Sequence, residues 1–258
     1  MDINLLSSFS AGSANDDRNK HLWLTGASLF IPQLNQLLAQ TNYSFVITPI
    51  EYFQNNDTDR VALLGSILQK HGSDKSTSHN YHIVYSFLLD KLGVNEPLRL
   101  LEIGLGTNNP RLVSTMGIYG KPGASLYAFR EYLPNAMIYG GDIDVNILFE
   151  SNRISTGFVD QLNITSFDKL STQFKQHTYD VIIDDGLHSI GANFNTLLFA
   201  LSHLADNGWI VIEDIHIVDN WRAIDYILKT TQKYETYIVK AAASYMFLVH
   251  KPASVMEA

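Results

Sequence analysis

The sequence predicts an α/β fold: a doubly wound, mostly parallel sheet with a closing antiparallel strand pair and an N-terminal appendage. Three observations predict it. From residue 82 onward, short continuous apolar runs alternate with segments of helical spacing, which argues for parallel strands covered by helices on both faces. Five successive apolar runs end in an acid: Glu102, Asp142, Asp160, Asp184/Asp185 and Glu213/Asp214. The last two runs, Glu235–Lys240 and Ser244–His250, flank only Ala241–Ala243, which is hairpin spacing.

The elements follow in order. Residues 1–20 are polar and turn-rich and predict a loose arm. A helix is expected around Ile31–Ala39 and a strand around Tyr43–Thr48, before Pro49 and the Asn55–Asp59 stretch punctuate the chain. An appendage over 1–65 and a main domain over 66–258 are therefore expected. Ile83, Val84, Phe87, Leu88 and Leu92 space a helix over His82–Leu92, closed by Gly93. Leu98–Ile103 reads as a strand. Leu126, Phe129 and Leu133 place a helix over Gly123–Tyr132. Ala136–Tyr139, running to Asp142, and Gly157–Val159 read as strands, as does Tyr179–Ile183. Phe194, Leu197, Leu198, Leu201 and Leu204 mark a helix stopping at Asn207-Gly208, before a strand at Trp209–Ile212 and a helix at Trp221–Lys229.

Composition narrows the function. A chain of 258 residues can bury a full core. With 18 basic and 26 acidic residues, the net charge is −8 and no basic stripe exists, so nucleic acid is not an expected partner. Zero cysteines exclude a disulfide scaffold, a thiolate metal site and a cysteine nucleophile. The first twenty residues lack a basic flank before an apolar core, and no apolar run reaches the roughly 18 residues of a membrane span. A soluble, cytoplasmic protein is expected.

Chemistry is expected at the carboxyl ends of the strands. Leu100–Thr107 ends the first core strand in Gly104-Leu105-Gly106, a turn that suits either close ligand approach or a plain strand end. It lacks the third glycine of a dinucleotide fingerprint and the Gly-Lys-Ser/Thr of a phosphate loop. Asp142, with Asp144 in reserve, could accept from a ribose diol, or Asp144 could cap a helix. Asp160-Gln161 could meet the exocyclic amine of adenine, or form a polar loop. Asp185, Glu213 and Asp214 should lie on neighbouring strands. Three carboxylates together need a cation or strongly perturbed ionisation, and an all-oxygen set suits Mg²⁺, with Mn²⁺ as substitute. His188 lies three residues beyond Asp185 and can serve as a general base. His216 fits a solvated loop, and His79 with His82 a pocket wall or polar surface.

Four stretches together resemble a known family. They are His71-Gly72-Ser73-Asp74-Lys75 with His79 and Tyr81, Leu101–Gly106, Gly123–Leu126 through Tyr132–Ala136 to Asp142, and Asp184–His188 with Glu213-Asp214. In these the chain is similar to class I S-adenosylmethionine-dependent methyltransferases. More narrowly, it resembles the metal-dependent sugar O-methyltransferases of the macrocin and mycinamicin type, related to cephalosporin hydroxylase proteins. The last stretch is the most specific, because its residue types and the step of 28 residues from Asp185 to Glu213 both fit.

The resemblance implies a Rossmann-like class I methyltransferase fold and Mg²⁺ on Asp185, Glu213 and Asp214, with His188 as base. It implies S-adenosylmethionine along Glu102, Gly104, Asp142, Asp160 and Gln161, with Ser73, Asp74, Lys75 and Ser125 nearby. Methyl transfer to a hydroxyl of a sugar or glycoside, on a small molecule or a glycan, is then expected, and related enzymes suggest a homo-oligomer. The chain departs from the family at Thr107–Arg111 and Tyr127, and residues 1–65 have no counterpart, so acceptor choice is expected there and in residues 107–122. The rival readings are a metal-dependent hydroxylase, which would need His216 as a second histidine, and a non-catalytic cofactor-binding protein.

Overall fold

The structure, a computed structural model, describes residues 30, 32–54 and 58–253. The expected arm over 1–20 lies outside the described residues. Residues 32–38 form the helix α1. Then come β1 (Ile47–Pro49), α2 (Thr58–His71), α3 (His82–Leu92), β2 (Arg99–Ile103), α4 (Ala124–Tyr132), β3 (Met137–Asp142), β4 (Glu150–Ser151) and β5 (Ile154–Phe158). The rest are α5 (Ile164–Phe174), β6 (Tyr179–Asp184), α6 (Ile190–His203), β7 (Leu204–Ile215), α7 (Arg222–Thr231), β8 (Glu235–Lys240) and β9 (Tyr245–His250).

Nine strands form one sheet in the order β1-β8-β9-β7-β6-β2-β3-β5-β4. β2 pairs in parallel with both β3 and β6, and β6 with β7. β9 runs antiparallel between β7 and β8, the closing pair expected. The chain leaves β2 toward β3 and β5, then returns to the other side of β2 at β6. The strand order therefore reverses between β2 and β6, where a doubly wound sheet opens a crevice at its carboxyl edge.

Strand alternation sorts two apolar layers. Leu100, Val181, Ile183, Trp209 and Val211 face one layer with Leu64, Tyr85, Leu88 and Phe129, from α2, α3 and α4. Leu101, Ile103, Ile182, Ile210 and Ile212 face the other with Phe167, Leu170, Leu197 and Leu228, from α5, α6 and α7. Burying one such side chain contributes about 1.5–3 kcal/mol, so these paired layers dominate stability.

Some elements differ from expectation. The helix expected to run to Asn207-Gly208 ends at His203, and β7 begins at Leu204. Leu204 pairs with Tyr179 and Trp209 with Val181, so the intervening turn residues bulge out of a strand rather than end a helix. Asn207, at φ 61°, occupies that bulge. β1 is shorter than Tyr43–Thr48, and β5 starts earlier than Gly157 because Ile154–Phe158 pair with β3. Helices α2 and α5 were not expected. Only Leu64, Ile67 and Leu68 of α2 are buried, a stripe too narrow to stand out. Residue 65, the expected domain boundary, falls inside α2, and β1 pairs with β8 as an edge strand of the sheet.

Candidate active site

Alternation also decides where each strand-end acid points. Glu102, Asp185 and Glu213 continue the parity of Leu100, Ile183 and Val211, and so emerge on the α2–α3–α4 side. Asp184 has the opposite parity. It is buried toward α5 and α6, where the Gln161 and Asn193 amides donate to it at 2.7 and 3.1 Å. Asp214 would follow Ile212 to that far side, but the β7–β9 register shifts between Ile212 and Ile215, and Asp214 takes φ 54°. The bulge turns its carboxylate back to join Asp185.

Asp185, Glu213 and Asp214 border a cavity of about 390 Å³, within the usual size of small-molecule sites. Gly104 and Gly106 form one wall, with Ser125 and Asp142. Ser73–Lys75, His79 and Tyr81 form another, and Ser114, Met116 and Tyr119 of the 107–122 loop close a third. Gly104 has φ 92°, and a Cβ there would lie 2.1 Å from the Asp185 carbonyl oxygen. Glycine thus lets the β2 turn back directly onto the β6 turn.

His188, at φ 52°, points its Nε2 between two carboxylates, 3.9 Å from Asp185 Oδ1 and 3.8 Å from Asp214 Oδ2. Donor atoms of Asp185, His188 and Asp214 all lie within 4.8 Å of one another. Asp214 Oδ1 accepts from the Tyr81 hydroxyl at 2.6 Å and from Ser244 Oγ at 2.9 Å, with His79 Nδ1 3.7 Å away. Burial alone would raise the Asp214 pKa, but Tyr81, His188, Ser244 and His79 outweigh it and hold the carboxyl below its usual range.

Behind them lies a buried cation. Lys75 Nζ is 2.6 Å from Asp185 Oδ2, 2.5 Å from Glu213 Oε2 and 3.2 Å from Glu102 Oε1. The Tyr85 hydroxyl donates to Glu213 Oε1. Burial disfavours the Lys75 ammonium, yet the surrounding acids hold its pKa well above the ordinary lysine value. Burial pushes the Glu213 carboxyl well above the usual range, and Asp185 adds to the push against Lys75. Three carboxylates contact this ammonium and Asp214 stands beside Asp185, an oxygen-rich donor set that fits a hard divalent ion.

The other expected residues divide. Gly104, Asp142, Ser73, Asp74, Lys75 and Ser125 line the cavity. Asp142 is largely engaged, accepting the Leu105 and Asp144 backbone amides at 2.7 and 2.8 Å, and Asp144 caps the short turn Val145–Ile147. Glu102 is fully buried beneath the cavity and accepts from Ser125 Oγ at 2.5 Å. Gln161 lies outside the cavity lining. Its amide holds Asp184 and Thr196 while its oxygen accepts the Leu187 amide, so it braces the loop carrying His188. Asp160 caps its own turn through the Leu162 amide. His216 is exposed.

Tyr81, Tyr85 and Ser244 were not assigned roles from sequence. Tyr81 stood inside the resembling segment, and Tyr85 shares a helix face with it. Ser244, in an alanine-rich hairpin, carries no signal in sequence.

Comparison with known proteins gives relatives and a fold. No family model matches the chain. It is 29% identical over 163 residues to the 8-demethyl-8-(2-methoxy-alpha-L-rhamnosyl)-tetracenomycin-C 3'-O-methyltransferase of Streptomyces olivaceus, covering 61% of this chain and 38% of that protein. It is 33% identical over 125 residues to the demethylmacrocin O-methyltransferase of Streptomyces fradiae, covering 47% of this chain and 28% of that one. The mycinamicin VI 2''-O-methyltransferase of Micromonospora griseorubida matches equally, at 33% over 125 residues, with 47% and 28% covered. The match thus spans under two fifths of these relatives' own lengths. Among solved structures, the MycE methyltransferase of the mycinamycin pathway, in complex with Mg and SAH, superposes with a TM-score of 0.59 at 19% identity, covering 76% of this chain and 56% of that one. The resemblance to the macrocin and mycinamicin type is borne out, and the chain has the Rossmann-like methyltransferase fold.

Proposed function

We propose that this chain, built on the methyltransferase fold, is an S-adenosylmethionine-dependent O-methyltransferase acting on a hydroxyl of a sugar or glycoside with the help of Mg²⁺, for which Mn²⁺ substitutes. The observation that carries the proposal is the convergence of Asp185, His188 and Asp214 at the cavity lined by the Gly104–Gly106 turn. The similarity to sugar O-methyltransferases supports it.

In this proposal Asp185 and Asp214 hold the ion, and Glu213, whose Oε2 faces Lys75 and whose Oε1 accepts from Tyr85, completes the set by releasing one of those partners. The Ser73–Lys75 turn, Gly104, Ser125 and Asp142 border the cofactor. When bound, the cofactor supplies an electrophilic methyl group and the ion a Lewis acid that makes an acceptor hydroxyl more acidic. A sugar alcohol is otherwise a poor nucleophile at pH 7. His188 Nε2 takes the hydroxyl proton as the oxygen forms its bond to the methyl carbon and the sulfur–methyl bond breaks. Asp214, held by Tyr81 and Ser244, fixes one side of that imidazole's surroundings and Asp185 the other.

The hydroxylase alternative has less behind it, because the second histidine it needs, His216, is exposed and outside the Asp185–His188–Asp214 group. Titration of the metal-free protein with Mn²⁺ tests the proposal. Wild type binds one ion per chain, and Asp214→Asn weakens binding at least tenfold. Equal binding by the two proteins contradicts the assignment.

A further inference from the structure

Lys75 was expected to border the cofactor, yet its ammonium is spent elsewhere. It has three N–H donors, and three carboxylates from three different strands surround it. Glu102 comes from β2, Asp185 from the end of β6, and Glu213 from β7, at 3.2, 2.6 and 2.5 Å. The side chain is only 3% exposed. Its backbone is fixed independently of the sheet. The Gly72 and Ser73 amides bond back to the Leu68 carbonyl, Ser73 Oγ caps the turn at the Lys75 amide, and Ser76 Oγ donates to the Gly65 carbonyl at 2.9 Å. The lysine is thus delivered by the α2–α3 connection as a rigid arm.

We propose that Lys75 is a positioning residue for the metal carboxylates. By holding Asp185 Oδ2 and Glu213 Oε2 it fixes the rotation of both carboxylates, so that Asp185 presents Oδ1 toward His188 and Asp214. The Glu102 contact extends the same grip to the strand whose glycine turn borders the cofactor. This rests on the functional reading above, and it deepens it by naming what aims the ligands. Groups that hold metal ligands from behind change metal affinity by roughly 10–100-fold when removed.

The simpler alternative is that Lys75 only neutralises buried acids. Lys75→Met alone would leave uncompensated charge and could fail to fold, so the decisive protein is Lys75→Met/Glu102→Gln, which removes one cation and one anion while leaving every proposed ligand in place. Two readouts are needed. In a metal-free crystal structure of the double variant, Asp185 is expected to rotate so that Oδ1 leaves the His188 side. In Mn²⁺ titration, affinity is expected to fall roughly 10–100-fold against wild type. An unchanged Asp185 rotamer together with wild-type Mn²⁺ affinity overturns the proposal in favour of mere neutralisation. If wild type itself binds no ion, the metal reading falls, and the Asp185 rotamer still decides the role of Lys75.

Discussion

His188 and Asp214 both occupy the left-handed backbone region, at φ 52° and 54°, where non-glycine residues pay of order 1–3 kcal/mol. Two such residues facing each other across 3.8 Å mark a place where the fold tolerates strain to aim side chains. The sequence revealed the acids and the histidine, because Asp185, His188, Glu213 and Asp214 stand in a spacing that a parallel sheet must bring together. It did not reveal that Asp184 and Asp185 part company, although period-two alternation requires it. Nor did it reveal the Lys75 ion pairs, since residues 75 and 213 meet only when the α2–α3 connection packs over the strand ends. Gln161, expected either at adenine or in a polar loop, accepts the Leu187 amide, a role that its place after a strand does not reveal. For His188, replacement by alanine is expected to lower turnover by about 10²–10⁴-fold, the usual contribution of a general base. Calorimetry should find S-adenosylhomocysteine affinity within about twofold of wild type, since the imidazole contacts carboxylates and not the glycine wall. A His188→Ala protein with normal turnover would remove the base from the mechanism.

Elements were read well where periodicity was strong. Helix α3, strands β2, β3 and β6 and the β8–β9 pair all stand where expected, within the usual end effects. Helix α2 was missed because its buried stripe is narrow, and the Asn- and Asp-rich run before it reads as punctuation. That helix matters, since with α3 it carries the arm holding Lys75. His82, at the start of α3, packs its ring against Gly65 of α2, where a Cβ would meet it at 3.1 Å. Burial lowers the His82 pKa from 6.5. The unfolded chain therefore takes up a proton that the folded ring refuses. Stability should be full above the unfolded pKa and should fall as pH drops below about 6.5. Thermal melts of wild type and His82→Phe should diverge on acidification, with the variant the less pH-dependent. Parallel melting curves would contradict this. The 107–122 loop is held by the Asn108 amide, which donates to the Gly117 and Gly120 carbonyls, yet it leaves Tyr119 91% exposed beside the cavity. Tyr119→Ala is expected to raise the acceptor KM severalfold while leaving cofactor affinity unchanged; the reverse pattern would move acceptor binding elsewhere.

At the scale of the whole molecule, the doubly wound sheet gathers the strand-end acids along one edge. Eight of the 26 acids stand at five strand ends, and the switch between β2 and β6 concentrates four of them around one cavity. The net charge of −8 therefore has a local component that a single buried lysine does not balance. A divalent ion and a sulfonium would bring that edge close to neutral. No helix among the described residues is long and apolar enough to cross a membrane. The central claim is metal-assisted methyl transfer to a sugar hydroxyl, and release of S-adenosylhomocysteine tests it most directly. The purified chain should be incubated with S-adenosylmethionine and a panel of glycosides, with EDTA, and with EDTA followed by excess Mg²⁺. Acceptor-dependent release that disappears in EDTA and returns with Mg²⁺ is the predicted result. Full release in chelator, or release that no hydroxyl acceptor increases, would contradict it.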